Sequence, residues 1–284
     1  MPQGEPEARW LTAALSDTPI ADEYRFVDSA LRQCETIALV FDPALHPPEV
    51  IDKARRWWLA AMRTEYDSAS TFIDMATQVR QIAEPLDVQT VVLRMAQDEL
   101  RHAAICARVI EALGGEAKIP AVQLPRAGLH RDCTADESVL RTIIYGCCLS
   151  EMVNVVRLAK SVGEVADPFI RDAFRLLLAD ERLHAQFGFH YLAHRRAWLE
   201  ARPEIARSLG RYLRYAFAQL EQVMGAVPAD GRPRTDAERA IGLPDLTDLS
   251  TTFQETILNA CIPGLERFGI EAGAAWRRRS LTPG

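Results

Sequence analysis

Residues 98–102 read Asp-Glu-Leu-Arg-His, and residues 180–184 read Asp-Glu-Arg-Leu-His. Both are D-E-x-x-H strings, and both lie in long segments with helical periodicity. Since residues at i and i+3 share a helix face, each Glu/His pair can point at one small volume. Random placement of this composition's acidic residues and histidines would give about 0.03 such strings. Two copies therefore indicate a repeated site, and carboxylate plus imidazole ligands suit a first-row transition metal.

An isolated glutamate precedes each string on the neighbouring predicted helix. Glu65 falls on the apolar stripe of a helix expected from about residue 48 to residue 83. Glu151 lies at helical spacing from the apolar residues of a helix expected from about residue 136 to residue 163. A carboxylate on a core face is costly unless it is paired or bound to a metal. Either glutamate alone could equally be a half-exposed residue at the edge of its stripe.

The register of the predicted hairpins brings these side chains to one level. At a rise of about 1.5 Å per residue, the lone glutamate and the Glu/His pair of each hairpin lie within about one or two helical turns. Four glutamates and two histidines could therefore converge in one helical core, which suits two metals with some glutamates bridging. The predicted metal and catalytic residues are Glu65, Glu99, His102, Glu151, Glu181 and His184.

The spacing of the two halves resembles that of the ferritin-like non-haem di-iron carboxylate superfamily. There are 32 residues between Glu65 and Asp98 and 28 between Glu151 and Asp180. The resemblance covers about residues 50–200. It implies an all-α fold, a ferritin-like four-helix bundle with one long crossover. A Pro- and Gly-rich connection of 20-odd residues between the two predicted hairpins is the segment that would form this crossover.

The aspartate of each string has an implied supporting role. In the superfamily that the pattern resembles, such acids orient ligand histidines through the ring nitrogen that faces away from the metal. This role would fall to Asp98 and Asp180. We expect Arg101 to be the charge partner of Asp98, while the second string has Leu183 at the corresponding position.

Three positions depart from particular subgroups of that superfamily. Cys106 stands where ribonucleotide reductase small subunits carry a radical tyrosine, which argues against a stored tyrosyl radical. Cysteine can stand there in bacterial multicomponent monooxygenases, but those favour a threonine where this chain has Val155. Leu177 replaces the extra histidine ligand of arylamine N-oxygenases. The resemblance is therefore to the superfamily rather than to one subgroup.

Other residues near the predicted ligands have both a functional and a structural interpretation. Core packing is the favoured role for four residues that could instead line a substrate pocket, namely Cys106, Cys147, Phe72 and Phe187. His190 and His194 could form a second metal pair, but a solvated or structural role is favoured because they face away from the Glu181/His184 face.

The rest of the chain reads as accessory helices. We divide it into an N-terminal extension of one or two short helices over 1–50, the di-metal bundle over 51–201 and C-terminal helices over 202–284. The last long helix is expected to bend at Pro263. Because no second site is recognisable outside the bundle, we expect one enlarged domain.

Composition limits the partners. The chain has 284 residues with a net charge of -6, 48% hydrophobic and 25% charged residues. This acidic globular composition argues against nucleic acid and anionic membranes as partners. We find no secretory signal and no apolar run near the roughly 18 residues of a membrane span. The six scattered cysteines contain no C-x-x-C pair, which predicts free thiols in the cytoplasm.

The leading functional prediction is an O2-activating non-haem di-iron oxidase or oxygenase. The resemblance implies two Fe ions, with Mn or a mixed Fe/Mn pair as alternatives, and O2 as co-substrate. The substrate would be a small or apolar organic molecule, an external electron donor could take part, and the accessory helices could form a homodimer contact. Four glutamates match the charge of two divalent cations.

Two other functions remain open from the sequence. The alternative of another class is a ferroxidase or iron-handling ferritin-like protein, although such chains are usually shorter than this one. A degenerate, purely structural module is disfavoured by the intact set of ligands. RNA modification gains no support from the acidic composition.

Overall fold

The computed structural model describes residues 10–12, 40–120, 130, 132–225 and 233–281. About 80% of the structure is helical, which confirms the all-α prediction. The helices, labelled α1 to α9 in chain order among these residues, are α1 Pro48–Gln81, α2 Leu86–Ala112, α3 Ala135–Glu164, α4 Pro168–His194, α5 Arg196–Glu200, α6 Pro203–Leu220, α7 Asp236–Ala240, α8 Leu246–Thr256 with its continuation to Glu266, and α9 Ala272–Arg277.

Four long helices surround the predicted ligands. Helix α1 packs along α2 after a short turn, and α3 packs along α4 after another short turn. The two pairs meet because α2 contacts α4 and α1 contacts α3. Short turns make neighbouring helices antiparallel, as expected for the two predicted hairpins.

Local sequence signals account for the helix ends. Asp167 caps α4 by accepting a hydrogen bond from the Ile170 amide at 2.9 Å, and Pro168 takes the first helical position. Gly114, just after α2, has φ of +73°, a conformation that favours glycine. The predicted ends of the four long helices are met within about two residues, except that the fourth breaks at Arg195 instead of continuing to residue 201.

Most of the predicted N-terminal extension lies outside the described residues. Where residues 1–50 are described, they contain a short strand, a 3-10 turn and the first residues of α1. Strand β1, Trp10–Thr12, pairs antiparallel with β2, Lys118–Pro120, and the 3-10 turn spans Pro43–Leu45. The one or two short helices predicted for this extension lie outside the described residues.

Buried apolar residues form two clusters, one toward each end of the long helices. On α1, Met62 belongs to one cluster and Phe72 to the other. On α2, Ala103 belongs to the same cluster as Met62, and Ala96 belongs to the same cluster as Phe72. The predicted ligands of α1 and α2 lie between these flanking residues, so a polar layer separates the two parts of the core there.

Three of the C-terminal helices, α6, α8 and α9, cover one of these clusters. Helix α6 packs against α9 and α3, and α8 packs against α3. Phe217 of α6 and Trp276 of α9 are in edge-to-face contact, with ring centroids 5.4 Å apart. Just before Pro263, the chain adopts a π-helical segment, Ile257–Cys261, where the sequence predicts a bend.

Helix α3 is long and apolar enough to cross a membrane by length and composition. An 18-residue window of Ala135–Glu164 has a mean hydropathy of 1.4, and 61% of that window is buried inside the molecule. The sequence-based expectation of no segment long enough to span a membrane rests on uninterrupted runs of apolar residues. The hydropathy averaged over 18 residues of α3 corrects that expectation. A buried core helix passes the same test, and the apolar side chains of α3 belong to the core.

Candidate metal centre

The structure brings all six predicted ligand side chains together. Two groups of four ligand atoms form, and within each group all atoms lie within 4.8 Å of one another. Glu99 and Glu181 belong to both groups. The first group is completed by Glu65 and His102, and the second is completed by Glu151 and His184. This arrangement could hold two metal ions that share two glutamates.

The oxygens of the shared glutamates lie between the two histidines. Glu181 Oε1 is 3.6 Å from His102 Nδ1, and Glu181 Oε2 is 3.4 Å from His184 Nδ1. Glu99 Oε1 lies 3.9 Å from His102 Nδ1 and 3.1 Å from His184 Nδ1. Each glutamate therefore faces both halves of the centre.

Four buried atoms in this cluster have no hydrogen-bond partner. They are one oxygen of each shared glutamate and Nδ1 of each histidine, namely Glu99 Oε1, Glu181 Oε2, His102 Nδ1 and His184 Nδ1. Leaving a buried acceptor unsatisfied typically costs about 1–3 kcal/mol. All four are ligand atoms for transition metals, so bound metal ions would satisfy what the protein itself leaves unpaired.

The aspartates fix the orientation of the histidines, and they do so across the two strings. His102 Nε2 lies 3.0 Å from Asp180 Oδ2, and His184 Nε2 lies 3.5 Å from Asp98 Oδ2. Donation from Nε2 to a carboxylate leaves Nδ1 with its lone pair toward the glutamates. Each histidine is thus held by the aspartate of the other string.

The predicted pair of Arg101 and Asp98 is wrong. Among the described residues, Arg101 pairs with Asp180, while Asp98 pairs with Arg94 at 2.7 Å. Arg94 precedes Asp98 by one helical turn, whereas Arg101 reaches across to the other helix pair. Both aspartates therefore have a basic partner, although only the first string contains an arginine at its fourth position.

Two polar residues near the centre were not singled out from the sequence. Ser68 follows Glu65 by three positions, and its hydroxyl donates to Glu99 Oε2. Asn154 follows Glu151 by three positions, and its Nδ2 donates to Glu151 Oε2 at 3.3 Å. The shared i+3 spacing after each lone glutamate is a signal that could have identified both residues.

Glu151 lies at the end of a π-helical segment. Residues Ile144–Glu151 of α3 have the wider π geometry, in the middle of an otherwise α-helical element. Such segments occur mostly as local insertions and are frequent at functional sites, because the extra residue redirects the side chains that follow. Here the segment ends at a predicted ligand.

Burial raises the pKa values of the two shared glutamates. Burial, reinforced by the charges of Glu151 and Glu65, raises the pKa of Glu99 to about 7. Burial and the neighbouring Glu151 raise the pKa of Glu181 well above its usual range. Cations placed between these carboxylates would lower both pKa values. The carboxylates therefore suit a positively charged occupant better than an empty core.

For Asp98 and His184, the contacts with charged neighbours outweigh the effect of burial on the pKa. Burial raises the pKa of Asp98, but the contacts with His184 and Arg94 outweigh it and leave that pKa below its ordinary value. Burial lowers the pKa of His184, yet the contact with Asp98 and the nearby carboxylates of Glu181 and Glu99 leave that pKa well above the ordinary value. The aspartate is therefore an ionised partner for the imidazole.

A cavity of about 260 Å³ reaches the centre. Its lining includes Glu65 and Glu181, together with the aromatic rings of Trp57, Trp58 and Phe174. The volume is somewhat below the roughly 300–1,000 Å³ of pockets for drug-sized ligands. The cavity therefore has room for a small molecule next to ligand side chains.

The other residues considered from the sequence have mainly structural surroundings. The four pocket candidates Cys106, Cys147, Phe72 and Phe187 pack in or against the core clusters and do not line the cavity at the centre. His190 is exposed, and His194 Nε2 lies 3.2 Å from the buried Glu84. The favoured packing and structural interpretations agree with these positions.

No protein-family model matches the chain, and a search of curated proteins finds no match. The geometry and chemistry of the six side chains therefore carry the functional argument.

Proposed function

We propose that the protein is a ferritin-like di-iron oxidase or oxygenase that uses O2 on a small or apolar organic substrate. The observation that carries this proposal is the pair of overlapping ligand groups that share Glu99 and Glu181, with four unpartnered ligand atoms between them. Two antiparallel helix pairs that supply a glutamate and an E-x-x-H pair each support the ferritin-like four-helix bundle. When bound, non-haem iron supplies one-electron and O2 chemistry.

The residues of the chain would hold and shield the reacting centre. Glu65 and His102 would be terminal ligands on one side, with Glu151 and His184 on the other. Asp98 and Asp180 would keep the imidazoles in the tautomer that presents Nδ1. The cavity would place substrate against Glu65 and Glu181, and its aromatic wall would exclude water.

The same cavity favours an organic substrate over iron storage. A path for hydrated iron is expected to carry acidic side chains beyond the ligands themselves. Among the described residues that line this cavity, Glu65 and Glu181 are the acidic ones, and the wall beside them is largely aromatic. Ferroxidase or iron handling therefore remains the alternative. It does not explain why aromatic side chains line the cavity next to the ligands.

Metal content tests the centre. Anaerobic loading of the purified protein with Fe(II), followed by elemental analysis, should give about two metals per chain. His102→Ala and Glu181→Ala should each lose most of this metal, because each removes a ligand. His190→Ala, an exposed histidine on the same helix as Glu181, is the matched control and should retain it. Less than one metal per wild-type chain would contradict the centre.

Exposure to O2 then separates the enzyme from an iron store. We expect iron oxidation to stop at about two irons per chain, with no growth in particle size. Absorbance after mixing with O2 should decay faster when the correct organic substrate is present. A mineral core of many irons per chain would refute the oxidase or oxygenase and support storage.

A further inference from the structure

Arg157 lies in the wall of the cavity next to the centre and lacks the partners that a buried guanidinium usually has. It belongs to α3, six residues beyond Glu151, and is partly buried. Nη2 donates to the carbonyl oxygen of Met224, while the buried Nε–H has no acceptor. No carboxylate of the described residues lies within ion-pair distance of it. Burial lowers the pKa of Arg157 to about 10.

This arrangement is unfavourable unless an anion joins it. Removing a charged group from water is unfavourable unless hydrogen bonds and an opposite charge compensate. Arginine has five N–H donors in a planar fork that matches a carboxylate. Arg171 and Arg195, by comparison, use two nitrogens each for contacts with carbonyl or carboxylate oxygens. Arg157 therefore has donor capacity that the described chain leaves unused.

Arg157 lies in the wall shared by two neighbouring cavities. Arg157 and Ser161 line both the cavity at the centre, called here the inner cavity, and a smaller adjoining one, which is also bordered by Lys160 and Asp248. Lys160 is already paired with Asp248 at 2.9 Å. Among the described residues that line the inner cavity, Arg157 is the one basic side chain. The guanidinium and the predicted ligands Glu65 and Glu181 therefore border the same cavity.

We propose that Arg157 binds the carboxylate of the substrate, which is a small organic acid with an aromatic or branched apolar body. The carboxylate would accept from the guanidinium, and the apolar body would lie against Trp57, Trp58 and Phe174. Six helical residues span about 9 Å, so the far end of a small acid would reach the level of Glu151. This inference rests on the proposed function for its meaning, since it names the substrate class of that site.

Paired acids and amides test the charge requirement directly. Metal-loaded protein is titrated anaerobically with a series of carboxylates from acetate to 3-phenylpropanoate, and with the neutral amide of each, using isothermal titration calorimetry and tryptophan fluorescence. We expect the larger acids to bind at least tenfold more tightly than their amides. If no acid in the series binds more tightly than its amide, the inference is overturned.

Three variants assign the preference to Arg157. Arg157→Gln should bring acid and amide to within about threefold of each other, and Arg157→Lys should keep part of the preference because it keeps the charge. Lys160→Gln is the matched control, since it removes one positive charge three residues away on the same helix. It should leave the preference intact. If Arg157→Gln retains the preference for acids and Lys160→Gln loses it, the anion binds near Lys160 and the assignment to Arg157 is overturned.

Metal content measured on the same samples separates the two proposals. Two metals per chain with no preference for acids would leave the di-iron centre standing and remove the carboxylate site. Less than one metal per chain, together with a clear preference for acids that depends on Arg157, would remove the di-iron centre and leave the carboxylate site standing. The comparison of acid with amide in the wild-type chain needs no variant, so poor folding of a substituted protein does not prevent the test.

Discussion

The two D-E-x-x-H strings support each other at the level of single residues. His102 is oriented by Asp180, and His184 is oriented by Asp98. Arg101 reinforces this crossing, because it lies beside His102 in the first string and pairs with Asp180 of the second. The position of each imidazole therefore depends on the packing of α2 against α4.

We predict that Asp180→Asn weakens metal binding by about 10- to 100-fold, the usual effect of losing the group that orients a ligand histidine. The substitution keeps the shape of the side chain but removes the charge that His102 and Arg101 both contact. Competition of the loaded protein against a chelator of known affinity measures the change.

Asp172→Asn is the control for this substitution. It lies on the same helix and pairs with Arg175 at 3.0 Å, away from the centre. Metal affinity should stay within about twofold of wild type. An equal loss in both variants would mean that charge on α4, rather than orientation of His102, sets the affinity.

The residues of the site were predictable from spacing within one helix, but their crossed partners were not. The i,i+3 relation places Glu99 with His102 from sequence alone. The contact of Asp180 with His102 joins residues 78 positions apart, so it depends on how two helices approach each other. The wrong pairing of Arg101 has this cause, since an intrahelical neighbour was assumed where an interhelical one was available.

At the scale of elements, the π segment of α3 and a close approach from α4 position Glu151. A Cβ on Gly188 would lie 2.7 Å from both Cys147 Cβ and Cys148 Sγ, and 3.0 Å from the Cys148 amide nitrogen. Glycine at 188 thus lets α4 approach the π segment more closely than any other residue would allow. Gly188 also follows His184 by one helical turn, so this approach sets the distance between the two ligand-bearing helices.

Gly188→Ala should therefore destabilise the protein by about 1–3 kcal/mol, the usual cost of overpacking. It should also reduce metal content, because α4 must move away from Glu151. Chemical denaturation and elemental analysis measure the two effects.

Gly163→Ala is the matched substitution on α3. Nothing lies within 4 Å of the added Cβ, so alanine should stabilise the protein by about 0.5 kcal/mol through the unfolded state. Metal content should not change. If Gly188→Ala behaves like Gly163→Ala, the close approach of α4 does not position Glu151.

The turn between α1 and α2 is tied to the end of α4 by a buried carboxylate. Glu84 accepts from Tyr191 Oη at 2.6 Å and from Arg195 Nη1 at 2.9 Å. Glu84→Ala should lower the free energy of unfolding by about 3 kcal/mol, because it removes a buried carboxylate and leaves the Tyr191 hydroxyl and Arg195 Nη1 without their acceptor. Urea denaturation measures the loss. Glu116→Ala, at an exposed carboxylate, should change stability by less than about 0.5 kcal/mol, and a similar loss there would contradict the role of burial.

The elements themselves were predictable to different degrees. Helix starts such as that at Pro168 follow from a cap and a proline, which are local signals. The π segment before Glu151 was not foreseen, because eight residues with a wider turn barely disturb a 3.6-residue hydrophobic pattern. Strand β1 was missed because its partner, β2, lies more than 100 residues away and supplies the pairing that three residues alone do not encode.

On the scale of the whole molecule, the core consists of two apolar clusters with the acidic layer between them. Glu99, Glu181 and both motif histidines are at most 1% exposed. Such a layer opposes folding, because buried charges and unpaired ligand atoms are costly. Sequence pattern predicted the layer, but its position between two separate clusters depends on the packing of all four long helices.

Metal removal should therefore lower the stability of the whole fold. A metal that binds only the folded state adds about 2.7 kcal/mol when its free concentration is 100 times its Kd. For a chain of this size that corresponds to a rise in Tm of roughly 5 °C or more. Differential scanning calorimetry with Fe(II), kept anaerobic, and with a chelator measures the difference. His102→Ala should lose the metal-dependent rise, whereas His190→Ala should keep it. An equal rise in both variants would mean that the metal stabilises the chain from outside the acidic layer.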